Sequence, residues 1–244
     1  MDFSKIFHHS SKDRAKGHPT ITADEKTWPK EWKTIYYKAY PRLPKIDLED
    51  EPPQSALFSL VKKRKSNRDF TRTQITKREL SLLLKYSCGE TGLLLEDGRH
   101  RRVQPSAGAR YPIEIYPIVF RTGEDLRSGL YHYNVKDHNL DVLWDREFSD
   151  GDIDKFFTYS WVKDAAVALV MTAIFWRTQN KYGERGYRYI LLEAGHIGQN
   201  IQLVSEALGL KYCALGGTRD EFLEPFLGID GISESVVYAL AIGK

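Results

Sequence analysis

Cysteine is scarce in this chain: there are two, Cys88 and Cys213, among 244 residues. They lie far apart and outside any CxxC pattern, so we expect neither a disulfide framework nor a structural zinc site, and a cytoplasmic setting is predicted. Long apolar runs are also missing. The longest, residues 165–175, is about half a membrane span and predicts a buried strand. The N-terminal residues lack the apolar stretch of a signal peptide, and no membrane association is expected.

A large excess of charge of one sign is lacking as well. The formal net charge is +3, from 36 Lys and Arg against 33 Asp and Glu. Such a small excess does not predict a nucleic-acid partner. Hydrophobic residues make up 41% of the chain and charged residues 28%, proportions typical of a soluble globular protein. The length suffices for one large domain with an extension.

The first 55 residues differ in character from the rest. They are polar, rich in Lys, Trp, Tyr and Pro, and show no sustained periodicity. Prolines at 41, 44, 52 and 53 punctuate the exit from this segment. Its aromatic residues, concentrated between positions 28 and 40, argue against simple disorder. We interpret residues 1–55 as an aromatic-rich extension that packs on the main body or on a partner subunit, and residues 56–244 as the main domain.

Helix and strand patterns alternate through residues 56–244. Thr76 is a good N-cap, with Glu79 as its capping-box partner. The clearest helix repeats its apolar residues every three or four positions and ends before Gly209. The patterns predict helices at 55–63, 77–87 and 187–208, and strands at 113–120, 129–135, 140–144, 165–174 and 235–242. One long helix among mixed elements predicts an α+β sandwich.

Two segments carry the chemistry of an anion site. The basic run from Lys62 to Arg68 follows a predicted helix. Arginine grips a phosphate with two donors and a nearby serine adds a third; the alternative is a solvated helix end, where cations suit the helix dipole. Near the C-terminus, Gly216 and Gly217 precede Arg219 and a helix start that would offer backbone N–H donors. Alone, such a turn is weak evidence.

Two further segments are candidates for ring contact and for catalysis. Residues 105–112 form a loop of small residues before a strand, which either is an ordinary connection or allows a flat ring to approach the backbone. On the long predicted helix, Glu193, His196 and Asn200 share one face, which we place opposite the apolar stripe. A single Glu-x-x-His pair does not predict a metal site, and a lone histidine there is more often structural.

Three of these segments resemble known flavoproteins. Residues 64–70 resemble the RRSxRxF segment of nitroreductase-like proteins, with Lys65 in place of the second arginine. Residues 105–116 are similar to the PSxGxxYPxExY stretch of SagB-type dehydrogenases, and 181–200 resemble the SagB-type azoline oxidases. The resemblance implies a nitroreductase-like α+β fold, a three-layer sandwich with a central mixed or antiparallel sheet flanked by helices. It also implies a homodimer with FMN at the subunit interface.

The same resemblance assigns roles to individual residues. FMN would be bound by the basic segment, by the small-residue loop and by the glycine turn, namely Arg64, Lys65, Ser66, Arg68, Pro105, Ser106, Gly108, Gly216, Gly217 and Arg219. Lys181 and Tyr182 match the pair implicated in substrate deprotonation. An adjacent ammonium lowers the pKa of a phenol, which makes such a base chemically reasonable; the alternative is two surface residues beside a helix end.

The implied reaction is oxidation of a peptide azoline to an azole, with the peptide as substrate and a cyclodehydratase complex as a candidate partner. Three alternatives stay open. One is an NAD(P)H-dependent nitro- or quinone reductase of the same fold, and another is a non-catalytic subunit of a peptide-modifying complex. The third is a nucleic-acid binder that uses the basic segment, against which the small net charge argues.

Overall fold

The computed structural model describes residues 2–12, 25–49, 51–96 and 98–244. The helices are α1 Phe3–Ser11, α2 Lys30–Lys33, α3 Ala56–Lys63, α4 Lys77–Cys88, α5 Asp150–Phe156, α6 Trp176–Tyr182, α7 Arg185–Ala207 and α8 Asp220–Leu227. The strands are β1 Glu90–Leu94, β2 His100–Arg102, β3 Ile113–Val119, β4 Gly129–Asn134, β5 Asn139–Asp145, β6 Val167–Ile174, β7 Lys211–Leu215 and β8 Glu234–Gly243.

Six of the strands form one sheet in the order β5-β4-β3-β6-β8-β7, and β1 and β2 form a separate pair. Every neighbouring pair in the large sheet is antiparallel. The start of β3, the end of β6 and the start of β8 therefore share one end of the sheet, because Ile113 pairs with Ala173 and Ala173 pairs with Ser235. Strand β7 runs toward that same end and stops at Leu215, opposite Ala239.

Helices cover both faces of this sheet. Alternate residues of β6 feed two separate cores: Val167 and Leu169 pack on the side of α4 and α7, whereas Ala168 and Val170 pack on the side of α5 and α8. Strand β6 is apolar at almost every position because both of its faces are buried. The predicted three-layer α+β sandwich is confirmed, and its sheet is antiparallel rather than mixed.

The predicted elements of the main domain are confirmed with boundary shifts of a few residues. Helix α4 begins at the predicted capping box, in which Thr76 and Glu79 satisfy each other's backbone N–H groups. Helix α7 starts two residues before the predicted 187 and ends one residue before the predicted 208. In the described part of the chain, no helix has the length and apolar character that a bilayer span requires.

The N-terminal extension holds a helix that the sequence pattern did not reveal. Helix α1 is capped by Asp2 and docks on the main body through polar contacts. The backbone N–H of Ser4 donates to Glu184 at 2.8 Å, and the His8 ring lies within hydrogen-bond distance of Tyr187 and Ser235. Phe3, Ile6 and Phe7 have the spacing of one helical face but stay largely exposed, although Phe7 meets the Tyr187 ring edge-on. The prediction that this segment packs on the main body is confirmed for α1.

The aromatic part of the extension is placed differently. Trp32 is 55% exposed and Tyr37 is 84% exposed, and the whole stretch 31–40 presents its side chains to solvent. The prediction that these aromatic residues pack on the main body is therefore wrong for residues 31–40. The alternative, that they pack on a partner subunit, stays a prediction. The part of the extension at 13–24 lies outside the described residues.

Lys12 anchors the end of α1 to α8. Its Nζ lies 2.8 Å from both carboxylate oxygens of Glu224, and each side chain is 10% exposed. We expect Lys12→Met to lower the free energy of unfolding by about 3–5 kcal/mol, because it leaves a buried carboxylate without its counter-ion. The matched control is Lys5→Met, whose ion pair with Asp2 is exposed and should cost less than about 1 kcal/mol. Urea unfolding of both variants measures the difference, and equal losses would contradict this anchoring role.

Candidate active site

The loop between β2 and β3 is folded tightly on itself. The Ser106 hydroxyl accepts a hydrogen bond from the backbone N–H of Tyr111 at 2.9 Å, and the Ser106 carbonyl accepts one from Ala109 at 3.0 Å. Gly108 adopts a φ of +61°, a conformation that a residue without a Cβ adopts at no cost. Pro105 at the start of the loop is exposed. The predicted loop of small residues is thus a defined turn and not a loose connection.

Gly108 faces the predicted catalytic pair. A Cβ atom built at this glycine would lie 2.6 Å from Tyr182 Oη and 3.0 Å from Lys181 Nζ. The two side chains come from the last turn of α6, and Lys181 Nζ lies 5.3 Å from the centre of the Tyr182 ring. The structure therefore brings Gly108 to a pair of adjacent residues more than 70 positions away in sequence. Tyr182 is half-buried and Lys181 is exposed.

An ion-pair network that sequence reasoning missed ties α6 to the sheet. Arg177 pairs with Glu114 on β3 and also donates to the Tyr111 carbonyl at 3.1 Å. Glu114 lies 3.0 Å from the ring of His132, which in turn lies 3.0 Å from Asp141. Although burial opposes ionisation of Glu114, contacts with His132 and Arg177 lower its pKa, and the hydrogen bond to Glu114 raises the pKa of His132. The signal available in the sequence was a charged residue inside an apolar strand.

The basic segment runs alongside the edge strand β7. The backbone N–H of Asn67 donates to the Tyr212 carbonyl at 2.8 Å, and the side chains of Ser66 and Arg68 bond to Cys213. Despite those contacts, burial raises the pKa of the Cys213 thiol. Arg64 is half-buried and donates to Gln202 of α7 at 3.3 Å, whereas Lys65, Ser66 and Arg68 are exposed. The positive charge of this segment is therefore available at the surface.

The two glycines after β7 serve different purposes. A Cβ at Gly217 would lie 1.9 Å from the Thr158 hydroxyl, so only glycine fits without displacing Thr158. Gly216 is exposed, and a Cβ there would meet nothing within 4 Å. Arg219 is half-buried, and its backbone N–H donates to the Phe156 carbonyl at 2.8 Å just before α8 begins. The turn is thus fixed on one side and open on the other.

The predicted site residues form two groups within one chain. Gly108, Lys181 and Tyr182 make up the first; the basic segment beside β7, with the glycine turn that continues from this strand, makes up the second. The two groups contact α7 at different places. The loop that carries Gly108 contacts Glu193 through Gln104, and the basic segment contacts Gln202 through Arg64. Nine residues of helix separate these contacts by about 14 Å along the axis. A single pocket that used both of these contacts would have to span that distance, within one chain or across two.

The predicted position of Glu193 is wrong. We predicted Glu193 on the face opposite the apolar stripe, together with His196. In the structure Glu193 is buried, with 2% exposure, and accepts a hydrogen bond from Gln104 at 3.3 Å. His196 is exposed, and Asn200 donates to the Ser87 carbonyl at 3.1 Å. The reason is that the loop after β2 covers the flank of α7 beside the stripe, which helix periodicity alone cannot show. Among the described residues, no group of three or more His, Cys, Asp or Glu side chains could hold a metal ion.

A cavity lies apart from both groups. It has a volume of about 690 Å³ and is enclosed by α4, the residues before β4 and the β4–β5 hairpin. None of the predicted site residues lines it. At its wall, His138 lies 3.0 Å from the Ser81 hydroxyl and 2.8 Å from the Tyr133 hydroxyl, so both ring nitrogens are engaged.

Three proteins with related sequences match this chain. A Methanocaldococcus jannaschii protein named as a nitroreductase, MJ1384, is 32% identical over 189 residues, which are 78% of this chain and 88% of that protein. The trifolitoxin-processing protein TfxB of Rhizobium leguminosarum is 31% identical, over 68% of this chain and 46% of its own. The microcin B17-processing protein McbC of Escherichia coli is 32% identical, over 55% and 51%. The matches thus span about half the length of the two processing proteins.

Solved structures share the fold. The E. coli microcin synthetase McbBCD complex with truncated pro-MccB17 superposes with a TM-score of 0.72 at 20% identity, over 99% of this chain and 91% of the matched one. A Desulfovibrio desulfuricans protein named as a nitroreductase and solved in complex with FMN gives 0.52 at 19% identity, over 78% and 87%.

Sequence, fold and relatives agree with one another. The profile of the nitroreductase family matches residues 61–244, the span that holds the sheet, its covering helices and both groups of site residues. The two processing proteins among the relatives are consistent with the SagB-type branch that the motifs indicated. This chain belongs to the nitroreductase family.

Proposed function

We propose that this protein is an FMN-dependent dehydrogenase that oxidises azoline rings in a peptide to azoles. The observation that carries the proposal is the approach of Gly108 to Tyr182 Oη and Lys181 Nζ. The small-residue loop that resembles a flavin-binding segment is thereby in contact with the residues that resemble a deprotonating pair.

The reaction removes two hydrogens from the ring. Tyr182 takes the α-proton, so the Cα–H bond breaks and its electron pair enters the new ring double bond as hydride leaves the β-carbon. The ammonium of Lys181, beside the same glycine, stabilises the negative charge on the phenolate oxygen. When bound, FMN would supply the two-electron acceptor for this hydride, with dioxygen or another oxidant as the terminal acceptor.

The donor set beside β7 fits the phosphate end of FMN. Arg64, Lys65 and Arg68 provide cationic donors, and Ser66 adds a hydroxyl. Gly216 leaves an open position at the end of β7, and Arg219 adds a further cation before α8. At the ring end, Pro105, Ser106 and Gly108 supply a small-residue surface. Because the Ser106 hydroxyl already bonds to Tyr111 and Glu193, its contribution to the ring would come from the backbone.

A homodimer accounts for the separation of the two groups, since each FMN pocket would then use residues of both subunits. The exposed aromatic stretch at 31–40 is a surface that a second copy would cover. The names of TfxB and McbC support processing of a peptide, and the match to a synthetase complex that holds pro-MccB17 supports work within a processing complex. The partner that we propose for this chain in such a complex is a cyclodehydratase. We place this activity in the cytoplasm.

The second candidate is an NAD(P)H-dependent nitro- or quinone reductase of the same fold. It is favoured by the match to MJ1384, a protein of nitroreductase name that aligns over 88% of its own length. Anaerobic mixing of the FMN-loaded protein with NADPH or NADH separates the two functions, because bleaching of the flavin within seconds would favour the reductase.

The purified protein should be yellow and carry noncovalent FMN, because the basic segment lies beside β7 and Arg219 follows the same strand in sequence. Heat release followed by chromatography identifies the cofactor. Release of FAD, or no uptake of flavin when the protein is incubated with FMN, would contradict the cofactor assignment and with it the proposed function.

Arg64→Ala should weaken FMN binding by about 1.5–3 kcal/mol, since a charge-assisted bond to a desolvated phosphate is lost; this corresponds to roughly ten- to hundredfold in Kd. Flavin fluorescence during titration of the apoprotein measures the affinity. Arg101→Ala is the control for a surface charge, and Gln202→Ala removes the partner of Arg64 while keeping its guanidinium. If all three variants bind FMN alike, Arg64 is not a phosphate ligand.

Tyr182→Phe and Lys181→Ala should retain FMN but lose about a hundred- to ten-thousandfold in turnover, the usual contribution of a positioned base. Mass spectrometry of a synthetic azoline peptide follows the loss of two hydrogens. Tyr189→Phe is the matched control, because the Tyr189 ring packs edge-on against Tyr182 at 5.2 Å and the substitution removes only a neighbouring hydroxyl. Near wild-type turnover in both active-site variants would show that the base lies elsewhere, and loss of flavin would assign the pair to the cofactor site.

A further inference from the structure

Glu193 is an ionisable group in an unusual place, under the loop that faces Lys181 and Tyr182. Glu193 and Gln104 are each 2% exposed, and the Gln104 amide donates to Glu193 Oε1 at 3.3 Å. The Ser106 side chain also bonds to the carboxyl group. Two residues that begin the loop are therefore held by one side chain of α7.

One atom in this cluster lacks a partner. Gln104 Oε1 is buried and makes no hydrogen bond, an arrangement that destabilises a folded protein because the oxygen has lost its hydration. An ionised carboxylate only accepts hydrogen bonds, so it cannot satisfy an amide oxygen. A protonated carboxyl group donates one bond and still accepts others. It can therefore pair with a primary amide through two bonds and satisfy Gln104 Oε1.

The electrostatic surroundings agree with a proton at this site. Burial raises the pKa of Glu193 to about 7, against the hydrogen bonds from Ser106 and Gln104 and the charge of Arg102. Arg102, at the end of β2, is the charged group acting on the carboxyl group, and its guanidinium is also stacked over the Tyr111 ring at 4.8 Å. The other two partners are neutral.

We infer that Glu193 is a positioning residue that works as a neutral carboxylic acid, whose proton completes a two-bond pair with Gln104 and fixes the loop against Lys181 and Tyr182. The link to the pair is short in sequence. Ser106, held by Glu193, accepts from the Tyr111 backbone, and Gly108 two residues later meets Tyr182 Oη. That these contacts matter for catalysis rests on the proposed function. That Glu193 carries a proton does not depend on it.

The pH dependence has a defined direction. The folded pKa of Glu193 lies above its ordinary value of 4.5, so the folded state binds this proton more tightly than the unfolded chain does. Its contribution to stability is complete below about pH 4.5 and is lost as the pH rises through about 7. A glutamine at 193 can form the same two-bond pair with Gln104 but carries no titrating proton. Glu193→Gln should therefore keep this contribution to stability as the pH rises.

The first experiment needs no cofactor. Thermal unfolding of the apoprotein is followed from below to above pH 7 for wild type, Glu193→Gln and Glu193→Ala. Glu206→Gln is the control, the same substitution on the same helix at a carboxylate that bonds to Tyr212. We expect Glu193→Gln to match wild type in acid and to exceed its Tm increasingly above pH 7, while Glu193→Ala is less stable throughout and Glu206→Gln follows wild type. A difference between Glu193→Gln and wild type that does not vary with pH would overturn the inference.

The second readout is the loop itself. Hydrogen exchange of residues 104–111, corrected for the intrinsic effect of pH, should become faster above pH 7 in wild type and stay slow in Glu193→Gln. FMN affinity measured over the same range should weaken above pH 7 in wild type and in Glu206→Gln but not in Glu193→Gln. If no variant binds FMN, the proposed function fails while the apoprotein results still decide the role of Glu193. Loop exchange that is the same in wild type and Glu193→Gln at every pH would refute the positioning role.

Discussion

Burial of β6 on both faces is the constraint on which the rest of the structure depends. Its alternate side chains supply two cores at once, so helices must cover both sides of the sheet and its neighbours β3 and β8 must be apolar as well. The antiparallel order then brings the start of β3, the end of β6 and the start of β8 to one end. The loop before β3 and helix α6 after β6 leave the sheet there, which is why Gly108 meets Lys181 and Tyr182.

Helix α7 connects the parts that surround this end. Its apolar stripe fills one core, while its flanks contact the loop at Glu193, the basic segment at Gln202 and the N-terminal helix at Tyr187. A shift of α7 would therefore displace the loop beside the proposed catalytic pair, the basic segment and the N-terminal helix together. The ion pair of Glu114 with Arg177 plays a similar part for α6, since it fixes the helix that carries the pair to the strand beneath it.

The sequence predicted what depends on local pattern. The apolar run at 165–174, the capping box at Thr76 and the three-four spacing in α7 each specify an element by themselves, and all three are present. Motif resemblance indicated the family and the residues to inspect. The partnership of Glu193 with Gln104 could not be predicted, because it depends on a loop nearly 90 residues away folding over one flank of a helix. The docking of helix α1 could not be predicted either, because its partners, such as Glu184 for Ser4, lie as many as 180 positions away in the chain.

The glycine turn after β7 separates two residues that look identical in the sequence. Gly217 is enclosed by Thr158, whereas the space around Gly216 is empty. Substitution is therefore sterically restricted at Gly217 and sterically permitted at Gly216. A side chain introduced at 216 would project from the end of β7 without disturbing the sheet, and its size and charge could change which molecules reach this end of the protein. A side chain at 217, by contrast, would require a matching change at 158.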